Sequence, residues 1–447
     1  MITPATDTLS EHYGAVQQRW RVADASDTYS RLVVPNGNAD LPFHGWFHLK
    51  EAYSASLLSQ LFKDTQYTPE RAVRIYDPYS GSGTTLLSAM DYSPQVEVSG
   101  LGVERNPFLF ELSTAKILGR SRGRGLVREL SKTAEDVIAA YSLLASRSPQ
   151  SIEIPPLATL GNEDYFPRVN VERLIALRNA ISEVGSPVCR AVLRVCLAAS
   201  VEPSGRLRRD GRALRYMPSR IPRDPSSVFA ERVAYVLRDL ETSDPSSAEV
   251  AIKYGDGRTL PAESPGAPFD WIIFSPPYPN NIDYTEVYKT EAWVLGCYSS
   301  QEEFRGQRLS TVRSHPSIRF SQDFKYQSSA HKPAVDALIE PVLAAVPNDR
   351  YKAGRVELIT GYADDMLSTL QTCRELAAPG STMAFIVGNS AHGSGSESLI
   401  IAADVLMAAL AELSGWVVRE IKIARRLARR KSSSEFLRES VVVLKAV

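Results

Sequence analysis

The chain has 447 residues, with 51 basic and 51 acidic side chains, so no overall field draws it to a polyanion or a membrane surface. A hydrophobic content of 44% and a charged content of 23% are those of a globular chain with a sizeable core, and the length suggests two or three domains. Four scattered cysteines, Cys189, Cys196, Cys297 and Cys373, argue against a zinc site or a disulfide framework and fit a reducing, cytoplasmic setting.

The first ten residues are polar and no apolar run approaches the ~18 residues of a membrane helix, so neither a signal peptide nor a span is expected. Residues 1 to about 40 are turn-rich, end in Pro35-Asn36-Gly37-Asn38 and read as an irregular arm. Phe43 to Lys50 follows, with Phe47 and Lys50 in it, and leads through Ser54 into helical apolar spacing at Leu57, Leu58, Leu61 and Phe62. Aromatics just before a helix are either ordinary core or the flank of an adenine or a sulfonium.

Val73 to Asp77 reads as a strand, Pro78-Tyr79-Ser80-Gly81-Ser82-Gly83-Thr84-Thr85 as a glycine loop, and Leu86 to Met90 as a helix. No lysine follows Gly83, so this is not a P-loop, and Leu86 stands where a full G-x-G-x-x-G needs its third glycine. A second strand, Val96 to Val103, ends at Glu104-Arg105-Asn106-Pro107. Glu104 lies about 20 residues past the loop, the offset at which an acid takes ribose hydroxyls.

From there to about 248 the pattern is helical, with helices expected over Leu126 to Ala145, Val171 to Val184 and Pro187 to Ser200. The segment from Gly205 to Arg223 carries Arg206, Arg208, Arg209, Arg212 and Arg215, with Asp210 its only acid. Glycine and proline break it, so a loop is expected. Its arginines are either a solvated surface or contacts for phosphates and guanine edges, and arginine rather than lysine favours the second.

Val250 to Tyr254 is a third strand, ending at Gly255-Asp256-Gly257, where Asp256 is placed to accept from an adenine amino group. The fourth, Trp271 to Phe274, is β-branched and aromatic and stops at Ser275-Pro276-Pro277-Tyr278. A rigid turn beyond a sheet's carboxyl edge suits an amino group on a nucleobase, whose lone pair is delocalised into the ring. The Ser275 side chain and the Pro276 carbonyl would accept its hydrogens and free that lone pair. Tyr278 would stack on a base taken out of the duplex. Residues 301–355 are polar and partly basic, with Arg305, Arg308, Arg313, His315, Arg319 and Lys325, and suggest a second DNA-facing insert.

A helix is expected over Met366 to Leu376, a fifth strand over Thr382 to Val387, and a helix from Glu397 to Leu413. Trp416 to Ile423 with Ser440 to Leu444 would form a closing pair, joined by a basic connection from Ala424 to Arg438. Strands alternating with helices predict an α/β sheet with a large helical insertion after the second strand.

Taken together, the Asp77-to-Thr85 loop and Ser275-Pro276-Pro277-Tyr278 resemble the amino-group DNA methyltransferases that use S-adenosylmethionine. Ser-Pro-Pro-Tyr is similar to the cytosine-N4 branch, where the adenine-N6 branch usually carries Asp or Asn first. Arg438-Glu439-Ser440 and the strand after it resemble the family's closing hairpin. The resemblance covers about 43–115 and 249–447. It implies a Rossmann-like methyltransferase sheet with an antiparallel closing pair.

The expected organisation is an arm and cofactor-covering segment (1–70), a catalytic domain (71–115 and 249–447), and, outside the resemblance, a helical insertion (116–248) and a polar insert at 301–355, both read as DNA-contacting regions. By the resemblance, Glu104 would hold the ribose and Asp256, beside Gly257, the adenine. Gly81 and Gly83 would pass under the methionine part, with Asp77, Ser80, Thr84 and Asn106 around them. Phe47, Lys50 and Ser54 fall where the family's N-terminal cofactor motif lies. Transfer would be direct and in line; no Pro-Cys nucleophile is present, and no metal is implied. The partner would be double-stranded DNA, with a restriction endonuclease as a possible companion. Adenine-N6 methylation, RNA base methylation and non-catalytic DNA binding on the same scaffold are the alternatives.

Overall fold

Trp271 to Phe274, each at most 1% exposed, form the centre of the molecule. The computed structural model describes residues 4–146, 152–210, 213–261, 266–393, 398–428 and 434–447. The described strands are β1 (Arg21–Asp24), β2 (Ala72–Asp77), β3 (Glu97–Glu104), β4 (Leu207–Asp210), β5 (Ala213–Tyr216) and β6 (Glu249–Tyr254), then β7 (Phe269–Phe274), β8 (Ala377–Gly388), β9 (Ser390–His392), β10 (Leu399–Ile401), β11 (Trp416–Arg426) and β12 (Arg438–Ala446). Eight of them make one sheet in the order β1-β11-β12-β8-β7-β2-β3-β6.

Neighbours from β8 to β6 are parallel, β12 runs antiparallel to both β8 and β11, and β1 is parallel to β11. This is the α/β, Rossmann-like sheet with a closing antiparallel pair that the sequence predicts. Period-two alternation divides the centre between two cores. Trp271 and Ile273 face the layer holding Leu57–Asp64, Thr84–Met90 and Pro107–Arg122. Ile272 and Phe274 face the layer holding Lys332–Ala344, Lys352–Leu376 and Ala403–Leu413.

The three helices read after the second strand are present as Val127–Ser146, Arg168–Ser182 and Pro187–Val201, and a further helix, Pro225–Glu241, was not read from the sequence. The insertion has no separate core: one apolar cluster runs from Ile75 and Trp271 through Leu112 to Val192 and Phe229.

Four expectations need correction. The irregular arm contains a helix, Pro4–Gln17, and the edge strand β1. Leu9 and Tyr13 are buried at helical spacing, but two such positions in a polar stretch are too few to mark a helix, and buried Trp20 lies beyond its end. Tyr13 donates to the Ile400 carbonyl at 3.0 Å and Trp20 to Glu412 at 2.7 Å. The arginine segment is not a loop but the hairpin β4–β5, paired from Leu207↔Tyr216 to Asp210↔Ala213. The helix read from Met366 begins at Lys352. The helix read from Glu397 begins at Ala403, after β10, and Glu397 itself lies outside the described residues.

Candidate active site

The sheet presents its functional side chains at one edge. β2 and β7 are adjacent and parallel, yet the chain leaves them toward opposite flanks, which opens a crevice beyond their carboxyl ends. There the ends of β2, β3, β6 and β7 line a single cavity of about 750 Å³. Of the residues singled out from sequence, Lys50, Ser80, Gly81, Thr84, Glu104, Asn106, Asp256, Gly257 and Ser275 to Tyr278 are in its wall.

Glu104 is the anchor of one half. Its carboxylate accepts the Gly81 N–H at 2.7 Å and the Asn106 N–H at 2.8 Å. Burial pushes its carboxyl up, against the pull of those N–H groups. Gly81 takes φ +53°, a backbone that side chains other than glycine adopt at a cost. Gly257 is required for space: a Cβ there would stand 2.4 Å from the Pro78 carbonyl oxygen. Ser80 adds a buried hydroxyl with no hydrogen-bond partner among the described residues.

Four of the proposed cofactor residues do not face this space. Asp77, 1% exposed, sits behind the loop. It accepts the Thr85 hydroxyl at 2.6 Å and the Tyr79 N–H at 3.0 Å, and so shapes the turn. Burial pushes its carboxyl up to about 7. Gly83 precedes the helix at φ +79°, with its Cα side against Ser113. Phe47 packs edge-on against Phe108 and Tyr288, and Ser54 donates to the Asn36 carbonyl at 3.1 Å. Beneath Phe47, buried Lys116 donates to the His44 and Phe47 carbonyls at 3.1 and 3.4 Å, and burial lowers its ammonium to about 7.

Asp256 faces the cavity but is already held. Arg258 donates to it from Nε and a terminal nitrogen, at 2.9 and 2.7 Å, and continues to Asp365 at 3.0 Å. Burial favours the neutral Asp256 carboxyl, but the Arg258 bonds outweigh it and hold the carboxyl below its ordinary value.

In the other half, the Ser275 hydroxyl donates to the Tyr278 oxygen at 3.1 Å, and Tyr278 donates to Glu439 Oε1 at 2.9 Å. The second Glu439 oxygen accepts from Arg425. The Tyr278 ring lies on Gly388, where a Cβ would come within 2.8 Å of it. Asn280 Oδ1 accepts the Ile282 N–H at 2.7 Å, and the Asn280 N–H is held by the Ser314 carbonyl at 3.0 Å. His315, 2% exposed, also lines the cavity; its Nε2 has no hydrogen-bond partner among the described residues. Sequence reasoning missed the roles of Arg258 and Glu439, and of Tyr53, which lines the cavity and bonds to the Thr85 hydroxyl; Arg425 fell within the basic connection but not as a partner of Glu439. Glu439 did leave a trace, as a carboxylate leading into an apolar strand.

The arginine segment divides. Arg209 must be struck from the set facing a polyanion. It is buried, bonded to Glu291 at 2.5 Å, with its guanidinium 4.2 Å from the centre of the Tyr288 ring. Its carbonyl accepts from Lys50 Nζ at 2.7 Å. Half-buried Arg206 donates to the Glu163 and Asp164 carbonyls. Arg212 lies outside the described residues. Arg208 and Arg215, cross-strand neighbours, are exposed. In the 301–355 segment Arg308 is bonded to Asp283, and Arg313 to Asp364 and Asp365. Arg305, Arg319 and Lys325 stay exposed.

Fold and cavity together define a chain of methyltransferase architecture. No protein-family model matches it. It is similar to the type II methyltransferase M.AvaI of Nostoc sp. and Anabaena variabilis, at 24% identity over 93% of this chain and 88% of that protein. It is similar also to the type II methyltransferase M.BsoBI of Geobacillus stearothermophilus, at 23% identity over 93% and 86% of the two chains. Among solved structures it is similar to the rRNA methyltransferase aviRa of Streptomyces viridochromogenes, with a TM-score of 0.30 and 12% identity over 93% of this chain and 96% of that one. A likeness of that degree carries no reading of substrate. Among the described residues no helix is long and apolar enough to cross a membrane.

Proposed function

We propose that this chain is a site-specific DNA methyltransferase that transfers a methyl group from S-adenosylmethionine to the exocyclic N4 of a cytosine flipped out of double-stranded DNA. The observation that carries the reading is the placement of Ser275 and Glu104 in one cavity, beyond the carboxyl ends of β7 and β3 on either side of β2. The near full-length similarity to the two type II methyltransferases supports DNA as the substrate.

The residues present fit the cofactor. Glu104, its carboxylate steadied by two backbone N–H groups, suits ribose hydroxyls, and the open space at Gly81, where an added Cβ would meet nothing closer than 3.8 Å, suits a ligand lying close to the backbone, while Gly257 lets its own turn close on Pro78. Ser80, Thr84, Asn106, Lys50 and Asp256 complete the wall. Bound there, S-adenosylmethionine would supply an electrophilic methyl carbon.

The chain's own task is to make a poor nucleophile usable. Ser275 gives its hydrogen to Tyr278, so its lone pairs are left for a hydrogen of the amino group. The Pro276 carbonyl is the second acceptor, and the two prolines keep both from swinging away. Drawing both hydrogens out of the ring plane frees the nitrogen lone pair. The gain comes from positioning and fixed dipoles rather than from a covalent intermediate. Arg208 and Arg215 on the hairpin are the proposed phosphate contacts.

Nucleoside mass spectrometry on DNA from cells expressing the chain, beside a Ser275→Ala control, tests the reading. N4-methylcytosine in the first alone is the expected result. N6-methyladenine would keep the chemistry and move the target to adenine. No new base in DNA would overturn the proposal.

A further inference from the structure

We propose that Glu439 receives the proton released by the target amino group, by way of Tyr278 and Ser275. The inference rests on the reading of the chain as an amino-group methyltransferase. It assigns to a residue of the closing strand the carboxylate that Ser275 itself lacks.

The direction of the hydrogens carries the argument. An ionised carboxylate only accepts, and a phenol has one hydrogen. With Tyr278 bonded to Glu439 Oε1 at 2.9 Å, that hydrogen points at Glu439. The Tyr278 oxygen, 3.1 Å from Ser275 Oγ, is therefore the acceptor of the serine hydrogen. Both hydroxyl hydrogens therefore point along the row toward Glu439, and the free lone pairs of Ser275 Oγ lie at the row's other end. Arg425 holds the second Glu439 oxygen, so the carboxylate is oriented from both ends. Glu439 is 4% exposed, whereas the Arg425 side chain is 41% exposed, which gives the row a dry middle and a wet end.

The balance is simple. The amino nitrogen forms its bond to the methyl carbon, and the carbon–sulfur bond breaks with its electron pair kept by sulfur. The nitrogen, now positive, gives one proton to Ser275 Oγ. The serine hydrogen passes to Tyr278 and the Tyr278 hydrogen to Glu439. One proton has moved from nitrogen to carboxylate, and both hydroxyls are restored; the proton then leaves to water past Arg425. Glu439 acts on the target nitrogen only through Tyr278 and Ser275. It is a positioning residue for Ser275 and the end of the proton's path.

The test uses the full chain, the cofactor and a duplex bearing the site found by sequencing, with 2-aminopurine next to the target base. Glu439→Gln should slow single-turnover methyl transfer by about 100-fold or more, as loss of a positioned proton acceptor does. Cofactor affinity by calorimetry, the melting temperature and the 2-aminopurine signal of base extrusion should stay unchanged. The solvent deuterium isotope effect on the rate should change with the substitution. Formate added to Glu439→Ala should restore rate in a saturable way.

Retention of the wild-type rate in Glu439→Gln would overturn the proposal. So would a rate loss matched by equal losses in cofactor binding and extrusion, with no formate rescue, because that pattern belongs to a structural anchor. A wild-type chain that binds the cofactor but methylates no base in DNA would overturn the underlying reading, and this inference with it.

Discussion

Arg209 and Glu291 form an ion pair at 2.5 Å, with side chains 7% and 2% exposed. The pair joins the β4–β5 hairpin to the helix Lys289–Leu295. Removing one partner strands a buried charge, which typically costs about 3–5 kcal/mol. Arg209→Ala should therefore lower the melting temperature clearly. Arg208→Ala, exposed and directly opposite Arg215 across the hairpin, should leave melting unchanged. It should instead weaken DNA binding and reduce the slope against log salt by about one. Thermal melts and a salt series of binding isotherms separate the two arginines.

A second prediction concerns space. Gly257→Ala drives a Cβ to 2.4 Å from the Pro78 oxygen, so the turn carrying the glycine loop must shift. Cofactor affinity measured by calorimetry should fall by an order of magnitude, about 1.4 kcal/mol. Gly14→Ala, in the helix Pro4–Gln17 with nothing within 4 Å of its added methyl, should instead stabilise the chain by about 0.5–1 kcal/mol.

Two buried groups predict opposite slopes of stability with pH. Asp77 has its carboxyl raised from 3.8 to about 7 by burial, so between those values the native chain holds a proton that the unfolded chain has lost. Stability therefore falls as pH rises through that window. Lys116 has its ammonium lowered from 10.5 to about 7, also by burial, so above 7 the unfolded chain holds the extra proton and stability rises with pH. Asp77→Asn should flatten the acid-side slope and Lys116→Met the alkaline one. Denaturant titrations of the cofactor-free chain across both windows measure each slope.

Tyr278→Phe separates two roles of one side chain. The ring keeps its place on Gly388 while the link between Ser275 and Glu439 is cut. Base extrusion should persist and methyl transfer should fall about 100-fold, the scale of a lost proton-transfer step. Wild-type transfer rates in this variant would leave stacking as the only role for Tyr278.

The cavity-lining edge of the sheet was legible because its signals are local. An apolar run ended by two prolines fixes where β7 stops, and Asp77, Gly81 and Glu104 mark two more strand ends within about 30 residues. The burial of Arg209 was not legible, because its neighbours Glu291 and Tyr288 come from a helix about 80 residues away. Charge and composition cannot tell it from exposed Arg208 one position before. Asp256 shows a nearer miss: the arginine that holds it stands two residues on, within the motif already being read. The N-terminal helix and β1 escaped because Leu9 and Tyr13, though at helical spacing, are too few apolar positions in a polar stretch to mark an element. They are specified by their partners at the other end of the chain.

That placement bears on how the molecule assembles. Arg21 to Asp24 leave the ribosome first among the strands, yet their ladder partners, Glu420 to Ile423, are made about 400 residues later. A growing chain must carry this segment unpaired until Glu420 to Ile423 are made. Pairings so distant in sequence form slowly, since loop closure comes before any contact that offsets it. The sheet's outer edge is therefore sealed last, and an N-terminal fusion partner or truncation would act first on the yield of soluble protein, before it touched the chemistry.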